Sequence, residues 1–149
     1  MKEIPLVYII SNSDELAQAF KIRAEVFMNE QSVTHEEEFD EFDQTSKHFL
    51  AVINKKPAGT SRYRKTDNGF KLERFAVLKE FRKMGVGTIL MQEMLSSIKN
   101  IAPLVDRNNF LYLHAQVAVV PFYLKFGFKK SGEIFSEAGI DHIKMTLTI

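Results

Sequence analysis

Residues 73–88 read Glu73-Arg74-Phe75-Ala76-Val77-Leu78-Lys79-Glu80-Phe81-Arg82-Lys83-Met84-Gly85-Val86-Gly87-Thr88. This stretch predicts a strand that runs into a basic turn, followed by two glycines and the start of a helix. The first N–H groups of a helix lack intrahelical partners, and together with the positive end of the helix dipole they attract anions. Glycine lets a phosphate approach the backbone because no Cβ stands in the way. The stretch therefore predicts a ligand that carries phosphate.

Two well-known phosphate loops do not match this turn. A Walker A loop has Lys and then Ser or Thr after its last glycine, whereas Thr88 follows Gly87 directly. A Rossmann fingerprint opens the first βα unit with three glycines, whereas this pair lies in the middle of the chain, behind a predicted hairpin. The spacing of the glycines alone leaves an alternative, in which they only help the chain to begin a helix and bind no phosphate.

The chain before this stretch predicts one helix among four strands. The residues from Leu6 to Ile10 are β-branched and aromatic, as is typical of strands. Asn12, with Glu15 three residues later, resembles a capping box at the start of a helix that continues to about Phe27. The other predicted strands are Phe49–Ile53, Gly59–Arg64 and Leu72–Val77, joined by turns at Asn54-Lys55-Lys56-Pro57 and Asp67-Asn68-Gly69.

The chain after this stretch predicts two helices and three strands. A long helix begins near Val86 and ends before Pro103. The remaining elements are a strand at Phe110–His114, a short helix from Val119 to Phe126 closed by Gly127, and two strands around the Ala138-Gly139 turn. This order predicts a single α/β (α+β) domain over residues 1–149, with a mixed sheet and helices on both of its faces.

The composition excludes several classes of protein. The 149 residues carry 20 Lys and Arg against 19 Asp and Glu, a formal net charge of +1, and no Cys. The absence of Cys excludes a disulfide scaffold, a thiol nucleophile and a zinc–thiolate site. The near-zero charge predicts neither a nucleic-acid partner nor a membrane surface. Glu3 and Pro5 interrupt any signal peptide, and Ile4–Ile10 is too short to span a membrane, so we expect a soluble cytoplasmic protein.

An acidic run lies between the first helix and the second strand. Its six acids are Glu36, Glu37, Glu38, Asp40, Glu41 and Asp43. Such runs are most often solvated loops. The functional alternative is a negative rim that attracts a cationic amine or a divalent ion. His35 and His48 lack metal-ligand spacing with these acids, so we predict no metal site.

Two motifs and the order of the elements resemble one family. Arg82-Lys83-Met84-Gly85-Val86-Gly87 resembles the Q/R-x-x-G-x-G/A motif of the GNAT N-acetyltransferases, and it follows a Phe75-Ala76-Val77 strand end as that motif does. Tyr123-Leu124-Lys125-Phe126-Gly127-Phe128 is similar to the family's Tyr-x-x-x-Gly-Phe stretch. His114-Ala115-Gln116 and the tail Gly139–Met145 are most like the ElaA/YjcF branch. The resemblance spans essentially the whole chain.

The resemblance implies a mostly antiparallel sheet of about six to seven strands. Strands Leu72–Val77 and Phe110–His114 would splay apart at a bulge, and the acyl group would enter the gap. Acetyl-CoA would be the co-substrate, its pantetheine arm pairing like an added strand because its amides mimic a peptide edge. The residues implied in binding it are Phe75, Ala76 and Val77 for the pantetheine arm and the backbone amides of Arg82, Lys83, Met84, Gly85, Val86, Gly87 and Thr88 for the pyrophosphate. Gln116 stands where many members carry Asn and could also bond the arm.

The implied reaction is direct attack of an amine on the thioester. The amine must be neutral to attack, and the leaving thiolate needs a proton or a hydrogen bond. Backbone N–H groups near Val77 would polarise the carbonyl. Tyr123 matches the family tyrosine that donates to the thiolate, since a phenol with the ordinary pKa of about 10 is protonated at neutral pH. The alternative is that Tyr123 only packs in an aromatic helix face beside Phe122 and Phe126.

Glu73 is the best sequence candidate for the general base. Strand alternation predicts that it shares a face with Phe75 and Val77, on the strand that would hold the cofactor. The alternative is an ion pair with one of the nearby cations, Arg62, Arg64 or Arg74. His114 and His142 could each bind substrate or shuttle protons, although a lone histidine at a strand end is more often structural.

The sequence therefore predicts an acetyl-CoA-dependent N-acetyltransferase that acts on a primary amine of a small molecule or on an exposed amino group of a peptide. One alternative is a GNAT-like domain that binds acyl-CoA without turnover, as a sensor or partner subunit. The other alternative is a nucleotide-phosphate binder of another fold. A homodimer through an exposed sheet edge or the terminal hairpin is left open.

Overall fold

The computed structural model describes residues 4–105 and 110–149, with side chains up to Ile101 in the first part. The strands are β1 (Leu6–Ile9), β2 (Lys47–Ile53), β3 (Lys56–Thr66), β4 (Gly69–Val77), β5 (Phe110–Gln116), β6 (Lys129–Glu137) and β7 (Ile140–Thr148). The helices are α1 (Ser13–Arg23), α2 (His35–Glu38), α3 (Val86–Val105) and α4 (Val120–Leu124). A π-helical segment, Ala24–Glu30, continues α1, and 3-10 turns cover Glu41–Gln44, Lys79–Phe81 and Val117–Val119.

Seven strands of the described part form one sheet in the order β1-β2-β3-β4-β5-β7-β6. Neighbouring strands are antiparallel except β4 and β5, which run parallel. A parallel pair needs a long crossover connection, and α3 lies in that connection. The predicted mixed, mostly antiparallel sheet is confirmed.

Helices cover both faces of the sheet, as predicted. On one face, α1 and the π-helical segment pack Ile22 and Val26 against Leu50 of β2. On the other face lies α3, whose fully buried side chains are Leu90, Met91, Met94 and Ile98. Each such side chain stabilises the fold by about 1.5–3 kcal/mol on burial. No helix in the described residues is long and apolar enough to cross a membrane.

Several element boundaries follow local signals of the sequence. The Asn12 side chain caps α1 by accepting a hydrogen bond from the Glu15 N–H at 2.8 Å, and the Glu15 carboxylate accepts one from the Ser11 N–H at 3.0 Å. Tight turns at Asp67-Asn68 and Ala138-Gly139 close the two predicted hairpins. These boundaries were predictable because the capping and turn residues act within a few positions of themselves.

Two helix ends differ from the prediction. The first helix does not stop near Phe27, because its backbone continues in the π-helical segment to Glu30. Helix α3 runs through Pro103 to Val105 instead of ending before the proline. Proline lacks an N–H to donate to the preceding turn, but its fixed φ is compatible with a helix. Because α3 ends two residues after Pro103, the missing hydrogen bond is confined to its last turn.

Strands β4 and β5 are joined over a short length only. Two residue pairs connect them, Phe70 with Leu111 and Lys71 with Tyr112. Beyond Lys71 the two strands part, whereas β4 stays paired with β3 as far as Val77. The parting leaves one backbone edge of β4 without a strand partner beside the turn that leads into α3. The predicted splay between these strands is confirmed.

Candidate functional site

A cleft of about 770 Å³ lies where β4 and β5 part. One wall is β4 from Lys71 to Val77, and the other includes His114 and Gln116 of β5. Further lining comes from the π-helical segment, the 36–43 loop, the turn that leads into α3, α4 and the turn between β6 and β7. The cleft therefore gathers groups from most of the elements that the sequence singled out.

A β-bulge shapes the β4 wall. Arg62 pairs with Glu73 and Thr60 with Ala76, so two residues of β4, Arg74 and Phe75, lie opposite one residue of β3. Arg74 has a φ of 60°, in the left-handed region that a non-glycine residue seldom adopts. The bulge implied by the family resemblance is thus observed, and it changes which side chains share a face.

The bulge overturns the predicted orientation of Glu73. Simple alternation puts Glu73 on the face of Phe75 and Val77, but the extra residue shifts the pattern by one. Phe75 and Val77 pack on the core beside α3, whereas Ala76 packs with the residues beneath α1. Glu73 shares its face with Ala76 and points toward β3 Arg62.

The surroundings of Glu73 also argue against its role as general base. Its carboxylate contacts Arg64 at 2.7 Å, Arg62 at 3.1 Å and Lys71 at 3.1 Å. Burial alone would raise the pKa of Glu73, but the charge of Arg62 and the hydrogen bond from Arg64 outweigh it and hold the pKa at about 2. A carboxylate this weakly basic is a poor proton acceptor at neutral pH. The alternative of ion pairing is what the structure shows, with Lys71 in place of Arg74.

Half of the acids in the run are exposed, as in a solvated loop, and the other half are paired with buried arginines. Arg23, which is 1% exposed, contacts Glu38 at 2.6 Å and Asp43 at 2.6 Å. Arg62, which is fully buried, contacts Asp40 at 2.8 Å and Asp43 at 2.6 Å. We call these five residues the arginine–carboxylate network. Three of the six acids are therefore counter-ions of buried arginines, and the run is held against the sheet beside the cleft.

The glycine turn places backbone groups at the surface. Lys83 and Gly85 have φ values of 67° and 81°, and a Cβ built on Gly85 meets no described atom within 4 Å. The Val86 side chain is buried in the core, so only its backbone is open to a ligand. Gly87 lies against the ring of Phe122, and a Cβ at this position would be 3.4 Å from the ring carbons. The turn thus leaves open space beside Gly85, at the residue that precedes α3.

The structure brings most of the predicted cofactor residues together. Those that line the cleft are Phe75, Ala76, Val77, Arg82, Gly87 and Gln116. Lys83, Met84, Gly85, Val86 and Thr88 lie further along the turn, outside the cleft lining. This division matches a long ligand whose one end lies in the cleft and whose anionic part follows the turn.

Arg82 and Gln116 are already held by protein groups. The Arg82 guanidinium donates to the Val77 carbonyl at 3.0 Å and to both carboxylate oxygens of Glu30 at 2.9 Å. Gln116 donates from Nε2 to Oε1 of Gln31 at 2.9 Å. These bonds tie the turn and β5 to the end of the π-helical segment, a connection that sequence reasoning missed.

Tyr123 lines the cleft and is 8% exposed. Its ring packs between aromatic residues, with centroid distances of 6.0 Å to Phe75, 5.3 Å to Phe122 and 6.2 Å to Phe128. Burial raises the pKa of the Tyr123 phenol well above its ordinary value. The hydroxyl therefore stays protonated across the working pH range and can only act as a donor toward an anion. Tyr123 therefore packs in an aromatic cluster and also lines the cleft.

A carboxylate between two histidines lies at the opposite lip. Glu137, at the end of β6, contacts His114 Nδ1 at 3.1 Å with one oxygen and lies 3.7 Å from His142 Nε2 with the other. The hydrogen bond from His114 lowers the pKa of Glu137 below its ordinary value. Sequence reasoning named both histidines but missed Glu137. The hairpin register pairs Glu137 with Ile140, two residues from His142, and His114 comes near Glu137 only through the sheet order β5-β7-β6.

No group of three or more potential metal ligands among His, Asp and Glu occurs in the described part of the chain. The acids nearest to one another are engaged by arginine side chains.

The chain is similar to acetyltransferases in sequence and in fold. The family model of the acetyltransferase (GNAT) domain matches residues 11–149. YjcF of Bacillus subtilis (strain 168), an uncharacterized N-acetyltransferase, is 41% identical over 138 residues, which are 92% of this chain and 95% of YjcF. Escherichia coli ElaA superposes with a TM-score of 0.81 at 25% identity, over 96% of this chain and 98% of ElaA. A GNAT acetyltransferase of Elizabethkingia anophelis with acetyl-CoA bound has a TM-score of 0.72 at 15% identity, over 97% and 98% of the two chains.

Replacing Arg62 with Met should destabilise the protein by roughly 3–5 kcal/mol at pH 7, because buried carboxylates lose their shared counter-ion. Wild-type stability should fall between about pH 5 and pH 2. The folded-state pKa values of Asp40 and Glu73, both about 2 because Arg62 outweighs burial, lie below the unfolded ones near 4. The variant should flatten this dependence. Urea unfolding at several pH values measures both effects.

The matched control is Lys56→Met, which removes an exposed cation from the start of the same strand. Its free energy of unfolding should change by less than about 0.5 kcal/mol. An Arg62→Met variant with the stability and pH dependence of the wild type would show that the network contributes nothing.

Proposed function

Because the chain belongs to the GNAT acetyltransferase family, we propose that it transfers the acetyl group of acetyl-CoA directly to a primary amine, on a small molecule or an exposed amino group of a peptide. Membership of the family supports acyl transfer in general. The choice of acetyl-CoA is supported by the Elizabethkingia anophelis structure of the same fold, which has acetyl-CoA bound.

The observation that carries the proposal is the open edge of β4 beside the glycine turn. Past Lys71 the strand has lost its neighbour β5, and at Val77 it enters the turn that starts α3. A pantetheine arm has two amides at peptide-like spacing, so it suits an unpaired strand edge. The pyrophosphate of the same molecule would then meet the first N–H groups of α3. One extended ligand satisfies both features.

Tyr123 provides the chemical group at the inner end of this path. Attack of the neutral amine on the thioester carbonyl forms the C–N bond, and collapse of the intermediate breaks the C–S bond. The departing CoA thiolate needs a hydrogen-bond donor. A buried phenol that stays protonated suits this task, whereas it could not serve as a base. Backbone N–H groups near Val77 would polarise the thioester carbonyl.

We expect the protein to release CoA from acetyl-CoA when a suitable primary amine is present. A thiol reagent follows the release, and the chain has no Cys to contribute background. The panel should include alkyl diamines, amino sugars, amino acids and peptides with free amino groups, with mass spectrometry to identify the acetylated product. Tight acetyl-CoA binding with no amine-dependent release across the panel would instead favour a non-catalytic acyl-CoA sensor.

Gly85→Ala should weaken acetyl-CoA binding at least tenfold, as measured by calorimetry. The added methyl group would occupy the open space over the turn, where the pyrophosphate is proposed to approach the backbone. A residue with a Cβ also pays about 1–2 kcal/mol to adopt the φ of 81°. Gly132→Ala is the matched control, because Gly132 has a φ of 82° and equally open surroundings on β6. Equal loss of affinity in both variants would mean that strain, not contact with the ligand, causes it.

Tyr123→Phe should lower kcat by about 10²-fold or more and leave the Kd of acetyl-CoA within a factor of two. The substitution removes the donor but keeps the ring that packs against Phe75. The control is Tyr63→Phe, which removes the hydroxyl of another buried tyrosine, bonded to Ser97. Full turnover by Tyr123→Phe would rule out the donor role.

A further inference from the structure

We propose that Nε2 of His114 accepts the proton that the acceptor amine must lose, and that Glu137 is the positioning residue that orients the His114 ring. This inference rests on the proposed acetyl transfer and supplies the base that Glu73 does not provide. His114 lines the cleft on the β5 wall, across the gap from β4. Its side chain is 27% exposed, so the ring is within reach of a substrate.

The hydrogen bond to Glu137 fixes which nitrogen of His114 is free. An ionised carboxylate can only accept, so the proton in the 3.1 Å contact belongs to Nδ1 of His114. The pKa of Glu137 is lowered, first by this hydrogen bond, which keeps the carboxylate ionised. In the neutral ring, Nε2 then carries the lone pair. Nε2 of His114 has no hydrogen-bond partner within residues 4–105 and 110–149.

Packing holds the ring in this orientation. The Phe135 ring meets His114 edge-on at a centroid distance of 5.0 Å, and the Tyr112 ring lies 6.3 Å away. Phe135 and Glu137 are on the same strand, two residues apart, so β6 supplies both an apolar wall and a charged partner. A base must be held in position to act within a transition state.

Strand β7 also contributes charged groups on this side of the sheet. Lys144 is the register partner of His114, but its ammonium group lies over the Tyr112 ring, 5.2 Å from the centroid. His142 is 6% exposed, and its Nδ1 donates to the Ile140 carbonyl at 2.7 Å. Its Nε2 lies 3.7 Å from Glu137. His142 is thus less exposed than His114, and its Nδ1 is already hydrogen-bonded within its own strand.

Strand β4 brings one cation toward the same carboxylate. Lys71 lowers the pKa of Glu137 through its charge, although its nearest contact is Glu73 at 3.1 Å. On the β4 wall, Glu73 is paired with cations, while on the β5 wall the His114 imidazole is paired with the carboxylate of Glu137. The arrangement stabilises the imidazolium that forms when His114 takes a proton.

The protons balance in this scheme. The ammonium R–NH3+ gives one proton to His114 Nε2, and the neutral amine attacks the acetyl carbonyl. The nitrogen loses a second proton as the C–S bond breaks, and one proton ends on the CoA thiolate. The imidazolium then returns its proton to solvent. The products are the acetamide, CoA–SH and one released proton, and no oxidant or further reactant is needed.

The test is the pH dependence of kcat/KM for His114→Gln, with the primary alkylamine that the wild type acetylates fastest. At pH 7 the variant should lose between about 10² and 10⁴ of kcat/KM, the usual contribution of a general base. The wild-type value should depend less steeply on pH, because the enzyme itself takes the proton from the ammonium. The variant should instead keep rising, about tenfold per pH unit, until the amine itself is neutral.

Two further measurements separate catalysis from structure. The Kd of acetyl-CoA should be unchanged in His114→Gln, and added imidazole should restore part of the rate. His35→Gln, an exposed histidine outside the cleft, is the matched control and should keep the wild-type profile. Glu137→Gln should retain more activity than His114→Gln, and its loss should lie in kcat with the Kd of acetyl-CoA unchanged, because the base is present but its ring is less well oriented.

The outcomes distinguish this inference from the proposed function. Activity of the wild type with unchanged rate and pH profile in His114→Gln would overturn the base role and leave acetyl transfer standing. A wild-type kcat in Glu137→Gln would overturn the positioning role. A wild-type protein with no amine-dependent release of CoA would overturn the proposed function and this inference with it.

Discussion

The parting of β4 from β5 after two residue pairs is the constraint on which the rest of the site depends. A strand edge inside a sheet normally satisfies its N–H and C=O groups by pairing, and unpaired backbone groups that are shielded from water cost free energy. Here the parallel neighbour diverges past Lys71 while β3 keeps β4 in place on the other side. The sheet therefore holds a rigid strand with one free edge, which is a template for an extended ligand.

Because of the bulge at Arg74, the two faces of β4 carry different kinds of side chain. Phe75 and Val77 are directed toward α3 and Tyr123, while Glu73 is directed toward Arg62 on the other face. The two faces are chemically distinct in consequence. The aromatic face can enclose a thioester in apolar surroundings, and the polar face meets the groups contributed by β5, β6 and the 36–43 loop. An acyl group placed in the gap is thereby reached from both sides.

Local signals made most of the fold predictable from sequence. Asn12, Asp67-Asn68 and Gly85 each act within their own turn, so the capping box, the hairpin and the glycine turn could be located. The order of elements followed from hydrophobic periodicity. The orientation of Glu73 was not predictable, because one extra residue in β4 inverts alternation and leaves no mark in the pattern. The pairing of His114 with Glu137 required the sheet order β5-β7-β6, which connects residues 23 positions apart.

The acidic run cannot be interpreted from composition alone, because the tertiary structure determines which of its acids are neutralised. Six acids within the eight residues 36–43 suggest attraction for a cationic substrate. Glu38, Asp40 and Asp43 are instead neutralised by Arg23 and Arg62, which are almost fully buried. Moving a charge from water into the interior is costly unless a partner accompanies it, so these acids are required by the arginines beneath them. At Glu38, Asp40 and Asp43 the acidic composition is therefore a property of the fold, and these three acids do not by themselves select a cationic acceptor.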